Sequence, residues 1–476
     1  MPLKTSLIRA ACVPAIALLH GCAALSPAAP AVAAAPAQWH APLPHEGSVG
    51  RLGAWWRQFD DPLLVRLIDA AQEVSPSIAS AKSRIEQSRA SRVAAGAALA
   101  PSLNAGAGMQ RGRDDFILPI ATSGSASLQA SWEIDLFGGQ RAARDAAQAR
   151  LDAAQAAWHD ARVSVAAEVA TSYVGLRACE ATLQHTLADA GSRAETSRLT
   201  DISARSGLQT PANAALSRAT AAQGQGNATQ QRAQCELIVK SLVALTGIEE
   251  PRLRNEMAAD TARLPHPAML GVDQVPAQAL AQRPDLVGAE RDLVAASADV
   301  AQARAQRLPR VSLAGSISAA RIETGMGSTD GTLWSFGPLQ VSLPIFDGGT
   351  RRANVDAARA RYDDAASTYR ARLRLAVREV EEALVTLQST SDRTQDAQIA
   401  AEGFRTSFLA TETRQRGGLA SLFELEDARR SDLLAQTALV ELQRERVTAW
   451  ISLYRALVGG GQSIDMPAAQ LDVASR

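Results

Sequence analysis

Residues 125–136, SASLQASWEIDL, alternate apolar and polar side chains with period two. Ala126, Leu128, Ala130, Trp132, Ile134 and Leu136 fall on one face; Ser125, Ser127, Gln129, Ser131, Glu133 and Asp135 fall on the other. This predicts a strand with one apolar side. Residues 102–110 do the same, with Leu103, Ala105, Ala107 and Met109 opposite Ser102, Asn104 and Gln110. Two later segments, VSLAGSISA at 311–319 and LQVSLPIF at 339–346, bring the strands to four. A polar link at 111–124 joins the first pair, and a glycine-containing link joins the second.

After each pair the period changes. Gly138-Gly139 and Gly348-Gly349 end the strand pattern, and Ala, Arg, Gln and Asp follow. Glycine lets the backbone bend out of a sheet without a Cβ clash. From Gly139 to Ala204 there is no proline, so one helix of roughly 95 Å is predicted at about 1.5 Å per residue. Leu151, Trp158 and Val165, then Val169, Leu176 and Leu183, recur at heptad spacing, which favours left-handed supercoiling against neighbours. Gly207 breaks the helix, and Pro211 begins an antiparallel partner to Thr246. The second copy predicts a helix over 350–416 and a return helix from Ser421. Shorter helices lead into each strand pair, one over 62–99 with a break near Ser75-Pro76 and one over 276–307.

The two halves are copies. ARLD at 149–152 aligns with ARYD at 360–363, and the offset of 211 persists through Glu168 with Glu379, Leu176 with Leu387 and Leu242 with Leu453. Upstream, APSLNAG at 100–106 matches LPRVSLAG at 308–315 at an offset near 208. Agreement over this length indicates internal duplication.

Each strand has about the 9–11 residues that cross an outer membrane on a tilt. Four strands cannot close a barrel, because the smallest membrane barrels have about eight. If they span, several chains share one barrel, and three would supply twelve strands. The alternative is a pair of soluble hairpins capping a helical domain, although an isolated hairpin is marginal in water.

The start of the chain sharpens the choice. Lys4 and Arg9 precede a short apolar run, Ala10–Leu19, and then Gly21-Cys22. This is the pattern of a signal peptide, too short to span as a mature helix. Leu19 three residues before Cys22 resembles a lipobox, with His20 departing from the usual small residue. Cys22 is therefore the expected lipid attachment site, and ordinary cleavage near Ala23-Ala24 is the alternative. Residues 23–47 are rich in Ala and Pro and read as an extended tether. Past the signal peptide no apolar stretch is long enough for a transmembrane helix, so any span must be a closed barrel. Charge is balanced, with 49 basic and 49 acidic residues, which gives no case for nucleic acid.

Cys179 and Cys235 lie 28 residues to either side of residue 207. An antiparallel hairpin turning there brings them level, and an oxidising compartment would join them. The alternative is two small buried apolar residues. Thr390 and Arg446 stand at the equivalent positions of the second copy. The six histidines, at 20, 40, 45, 159, 185 and 266, are scattered. No nucleophile triad, metal spacing or phosphate loop is evident, so no enzyme activity is expected.

WWRQFDDPLLVRLI (55–68), WEIDLFGG (132–139), QRPDLVGAERDL (282–293), LPRVSL (308–313) and PIFDGG (344–349) together resemble the TolC-like outer-membrane efflux factors, in the NodT or OprM lipoprotein branch. The resemblance runs from about residue 50 to 460. It implies a mixed α and β membrane protein: a homotrimer with a twelve-stranded transmembrane β-barrel, four strands per chain, continuous with a periplasmic α-barrel of twelve helices. It also implies no cofactor beyond the N-acyl and S-diacylglycerol lipid on Cys22. The function implied is the outer-membrane channel of a tripartite efflux system. A periplasmic adaptor opens such a channel, and an inner-membrane transporter, of the RND type, feeds it. A structural or type I secretion-type outer-membrane lipoprotein is the alternative.

On this reading, residues 1–21 are the signal peptide and 22–50 the lipidated tether. Residues 51–260 form the first repeat, with β-hairpin 101–137 and helical hairpin 139–247. Residues 261–476 hold the second repeat and tail, with helix 276–307, β-hairpin 309–347 and helical hairpin 349–458. Residue-by-residue matching places adaptor contacts at Gly207, Leu208, Gly418 and Leu419. It places the periplasmic gate at Phe423, Glu424 and Asp427, where rings of carboxylates would favour cations. Asn213 replaces the acid common at the equivalent place of the first copy. Gly138, Gly139, Gly348 and Gly349 would mark the membrane boundary, with Trp132 near the lipid-facing edge.

Overall fold

A computed structural model describes residues 56, 59–113, 120–265, 280 and 282–457. The signal peptide, Cys22 and the tether lie outside the described residues. Among the described residues, eight α-helices and four strands follow in order. They are α1 (Pro62–Val74), α2 (Pro76–Ala97), β1 (Ser102–Gly112), β2 (Ala121–Ile134), α3 (Gly139–Arg205), α4 (Pro211–Thr246), α5 (Glu250–Met257), α6 (Pro284–Ala305), β3 (Arg310–Thr324), β4 (Gly327–Ser342), α7 (Thr350–Arg416) and α8 (Leu422–Leu457).

The duplication keeps the helix lengths equal. α3 and α7 have 67 residues each, α4 and α8 have 36 each, and α2 and α6 have 22 each. The start and stop signals account for these bounds. Asp61 caps α1, accepting the backbone N–H groups of Leu63 and Leu64 at 3.0 and 3.1 Å, with Pro62 at the first turn. Proline opens α2 and α6. Thr210 caps α4 before Pro211, and Gly247 closes it in the left-handed conformation.

The chain folds as two compact bodies. The first holds residues 82–156 and 287–371 and contains the sheet. Its strands form one antiparallel sheet in the order β1-β2-β3-β4. In the second body a buried aliphatic group, Leu63, Leu64, Leu67 and Ile68 of α1 with Val169, Val174 and Leu176 of α3, forms part of the core. The Tyr173 hydroxyl donates to the Asp61 carboxylate at 2.7 Å, and Arg177 donates to the Tyr173 oxygen at 3.1 Å and the Met257 carbonyl at 3.1 Å. These bonds hold α1 and the end of α5 to the middle of α3.

The strands differ from the sequence reading. β2 begins at Ala121 rather than 125 and ends at Ile134, leaving Leu136 outside. β3 continues to Thr324, and β4 spans Gly327–Ser342 rather than 339–346. Residues read as a link belong to the ladder, from Ala320↔Gly331 to Thr324↔Gly327. The small polar residues GSTDG (327–331) of β4 carry no alternation, but pairing with β3 satisfies the backbone groups that face it. Leu343–Phe346, read as the end of the fourth strand, has no ladder partner on β3, because β3 begins opposite Ser342. A bulge at Gly337-Pro338 lets Phe336 face Gly315 and Leu339 face Leu313. α6 begins at Pro284, and most of the expected 276–283 stretch lies outside the described residues.

Candidate functional site

The sheet register sorts the side chains into two opposed faces. On one, Leu103–Ala130–Gly315–Phe336 and Ala105–Leu128–Ile317–Trp334 form successive rungs. Trp132–Leu313–Leu339 and Ile134–Val311–Val341 continue this face. On the other lie Asn104–Gln129–Ser316–Ser335 and Gly106–Ser127–Ser318–Leu333. Serines pair across the second face, Ser102 Oγ with Ser131 Oγ at 2.8 Å and Ser316 Oγ with Ser335 Oγ at 2.9 Å. The apolar side is bare within one chain, with Trp334 78% and Phe336 83% exposed. A contiguous apolar surface of this kind needs lipid or a partner. No helix among the described residues is long and apolar enough to cross a membrane.

Each strand pair leaves the sheet through its glycines. Gly138 has φ +77°, and Gly348 and Gly349 have φ +62° and +89°, a region that side chains with a Cβ rarely adopt. Asp135 accepts the backbone N–H groups of Gln140 and Arg141 at 3.1 and 2.9 Å, which fixes the start of α3. Asp347 does the same for Gly349 and Arg351 at 3.0 and 3.1 Å. The Arg351 N–H beside it holds the Asp347 carboxyl below the usual carboxylate range. Trp132, on the apolar face, donates its ring N–H to the Leu99 carbonyl at 3.0 Å.

The hairpin tips are built alike. Gly207 (φ +76°) and Gly418 (φ +74°) end α3 and α7. The following N–H groups, of Leu208 and Leu419, return to the carbonyls of Ser203 and Arg414 at 2.8 Å each. This is a glycine-closed helix end, and it leaves Leu208 79% and Leu419 75% exposed. Past each tip the next helix is capped, at Thr210 by Asn213 N–H (3.2 Å) and at Ser421 by Glu424 N–H (3.2 Å). Glu424 also accepts the Ser421 N–H at 2.7 Å and its hydroxyl at 2.8 Å. The pair is a capping box, so the Glu424 carboxylate is engaged in starting α8. Ser421's N–H and hydroxyl hold it below its ordinary pKa. Phe423 and Asp427, four apart on the same face of α8, are both exposed.

Behind these residues lies a charged cluster that sequence reading missed. Arg193 of α3 donates to Asp189 and to Glu426 of α8 at 2.8 Å each. Arg429 donates to Glu426, to Thr196 at 2.9 Å and to Ser192 at 3.1 Å. Arg429 is 2% exposed, and burial pulls its pKa down against the opposing pull of Glu426 and Asp189. The cluster ties the first helical hairpin to the second. Farther along, Cys179 and Cys235 form a disulfide with Cα atoms 5.6 Å apart, linking α3 to α4.

The chain matches the family model described as outer membrane efflux protein over residues 67–248 and 275–459. It is 31% identical to the Pyoverdine export outer membrane protein OpmQ of Pseudomonas putida, covering 91% of this chain and 93% of that one. It is 30% identical to the Solvent efflux pump outer membrane protein SrpC of Pseudomonas putida, over 85% of this chain and 87% of that one. Among solved structures, the outer-membrane channel OprN superposes with a TM-score of 0.79 at 27% identity, covering 91% and 98% of the two chains. With its two-faced sheet and duplicated helical hairpins, the chain belongs to the outer membrane efflux protein family and is an outer-membrane efflux channel component.

Proposed function

We propose that three copies close their sheets into one twelve-stranded barrel, with lipid on the apolar face and an aqueous lumen on the serine-lined face. The observation that carries this is the sheet itself. Within one chain it has an apolar face and a polar face, with β1 and β4 as its edge strands among the described residues. Open edges do not persist in hydrocarbon, so the edges must pair with other copies. The helical hairpins then form a shared periplasmic duct. A periplasmic adaptor docks at Gly207, Leu208, Gly418 and Leu419, and an inner-membrane transporter of the RND type supplies the cargo. Phe423, Glu424 and Asp427 form the narrowest ring, and the lipid on Cys22 anchors each chain.

Purified protein tests this by native mass and by conductance in planar bilayers. A heat-sensitive trimer that conducts ions is expected. A monomer that fails to conduct would overturn the reading. Replacing Cys22 with Ser should abolish palmitate labelling while the trimer survives.

A further inference from the structure

The apolar face of the sheet ends in charge. One rung beyond Ala107–Ala126–Ala319–Thr332 comes Met109–Gly124–Arg321–Asp330, and the next is Arg111–Thr122–Glu323–Ser328. Side chains two residues apart on a strand share a face, so Arg111 and Arg321 stand on the same side as Leu128, Ile317 and Trp334. Both arginines are exposed. Asp330 lies directly across the ladder from Arg321, yet neither arginine forms an ion pair among the described residues. Two strands and one rung separate the arginines, roughly 12 Å between Cα atoms at ordinary sheet spacing. Gly124 lies between them, and a Cβ added there would meet nothing within 4 Å.

Beside Arg321 the same face is hollow. A depression of about 610 Å³ is walled chiefly by Ala105, Ala107, Ala126, Ala319, Leu128 and Ile317. Alanine at four of these positions leaves room that longer side chains would fill. The hollow and the arginines lie at the end of the strands away from α3 and α7, which leave beyond the Ile134–Val311–Val341 rung.

We infer that this surface binds a phosphorylated, multiply acylated sugar lipid of the outer leaflet, lipopolysaccharide by chemical class. An acyl chain lies in the alanine hollow, and phosphates meet Arg321 and Arg111. This rests on the shared-barrel reading above, which puts the helices in the periplasm and these rungs at the outer leaflet. A guanidinium offers paired N–H donors that match a phosphate. The hollow is continuous with the rungs that face lipid, so its occupant is a chain of that lipid. The spacing of the arginines selects among lipids. One phosphodiester engages one of them, whereas phosphates spread over a sugar headgroup reach both. Asp330 and Glu323 share these rungs and oppose the phosphates, which makes their effect on binding informative.

Native mass spectrometry of the full-length, detergent-extracted protein tests this, with diphosphorylated lipid A as the probe. Lipid retained on the trimer is expected, and lipid A stripped of both phosphates should bind far more weakly. Arg111→Gln and Arg321→Gln should each weaken the diphosphorylated lipid by about tenfold, as losing one charge-assisted contact does. Asp330→Asn removes a repelling carboxylate and should tighten binding, a gain that misfolding cannot produce. Ala126→Phe should fill the hollow and weaken binding, and unchanged binding in that variant would take the acyl chain out of it. Equal binding with and without the phosphates, or equal competition by phosphatidylglycerol, would overturn the site and leave the barrel standing. Monomers from the unmodified chain would overturn the shared barrel and the lipid site with it.

Discussion

The guanidinium of Arg429 reaches from α8 to the Thr196 hydroxyl of α3 at 2.9 Å, joining residues 233 positions apart. The same group pairs with Glu426, which Arg193 also holds. Removing one member of a buried ion network leaves charges unpaired, at a cost of about 3–5 kcal/mol. Arg429→Met is therefore expected to loosen the start of α8 from α3. Amide exchange should rise at 192–200 and 424–432, and bilayer conductance should rise with it. Unchanged exchange in both segments would show that the hairpins are held elsewhere.

Glu424 and Asp427 separate a capping role from a gating role. The Glu424 carboxylate closes the Ser421 box, so Glu424→Ala should fray the first turn of α8 and raise amide exchange there. Glu424→Gln keeps an acceptor and should keep the helix start while removing charge. Asp427→Asn removes charge without touching the cap. If the two carboxylates form the gate, both amide variants lower cation selectivity in bilayers, and equal selectivity to the parent counts against that assignment.

The box also sets a pH dependence. The folded pKa of Glu424 lies below its unfolded value, because Ser421 donates to the ionised form. Its contribution is present above the unfolded value, roughly 4.3, and is lost as pH falls through the lower folded one. Protection of the 421–424 amides should hold at neutral pH and decline only in that acid window. Glu424→Gln should flatten the profile.

The Cys179–Cys235 bond closes a loop of 56 residues in one hairpin only. The chain-entropy relation gives about 4 kcal/mol for a loop of this size. Reduction should add the mass of two hydrogens and lower the unfolding midpoint of α3–α4. The second hairpin, with Thr390 and Arg446 at these places, should not respond. An oxidised sample that takes up no hydrogens under reductant would remove the bond.

Much of this is legible because it is local. Gly139 and Gly207 bracket α3, and Pro211 opens α4, so the long hairpin reads to within a residue or two. Alternation from Ala126 to Ile134 identifies both faces of β2. The sequence pattern misplaces β4 because its outer half, GSTDGT, has strand geometry only through β3, and no side-chain pattern records that. Ser421 and Glu424 stand at capping-box spacing, a signal open to notice in the sequence. Arg429 and Glu426 look like an ordinary solvated pair on a charged helix. Their burial depends on Ser192 and Thr196, more than two hundred residues earlier, which no local window contains.

The two faces of β2 offer a test that needs no assumption about the helices. Leu128 and Gln129 are neighbours in the chain and point to opposite sides of the sheet. If the apolar face meets lipid, Leu128→Arg places a charge in hydrocarbon, which costs about 2–4 kcal/mol near the bilayer midplane. Assembled, heat-modifiable trimer should fall sharply. Gln129→Arg puts the same charge among Asn104, Ser316 and Ser335, where water solvates it. Trimer yield should then hold, while conductance and ion selectivity shift toward anions. The opposite result, with Gln129→Arg blocking assembly and Leu128→Arg tolerated, would place lipid on the serine face and reverse the sidedness of the barrel.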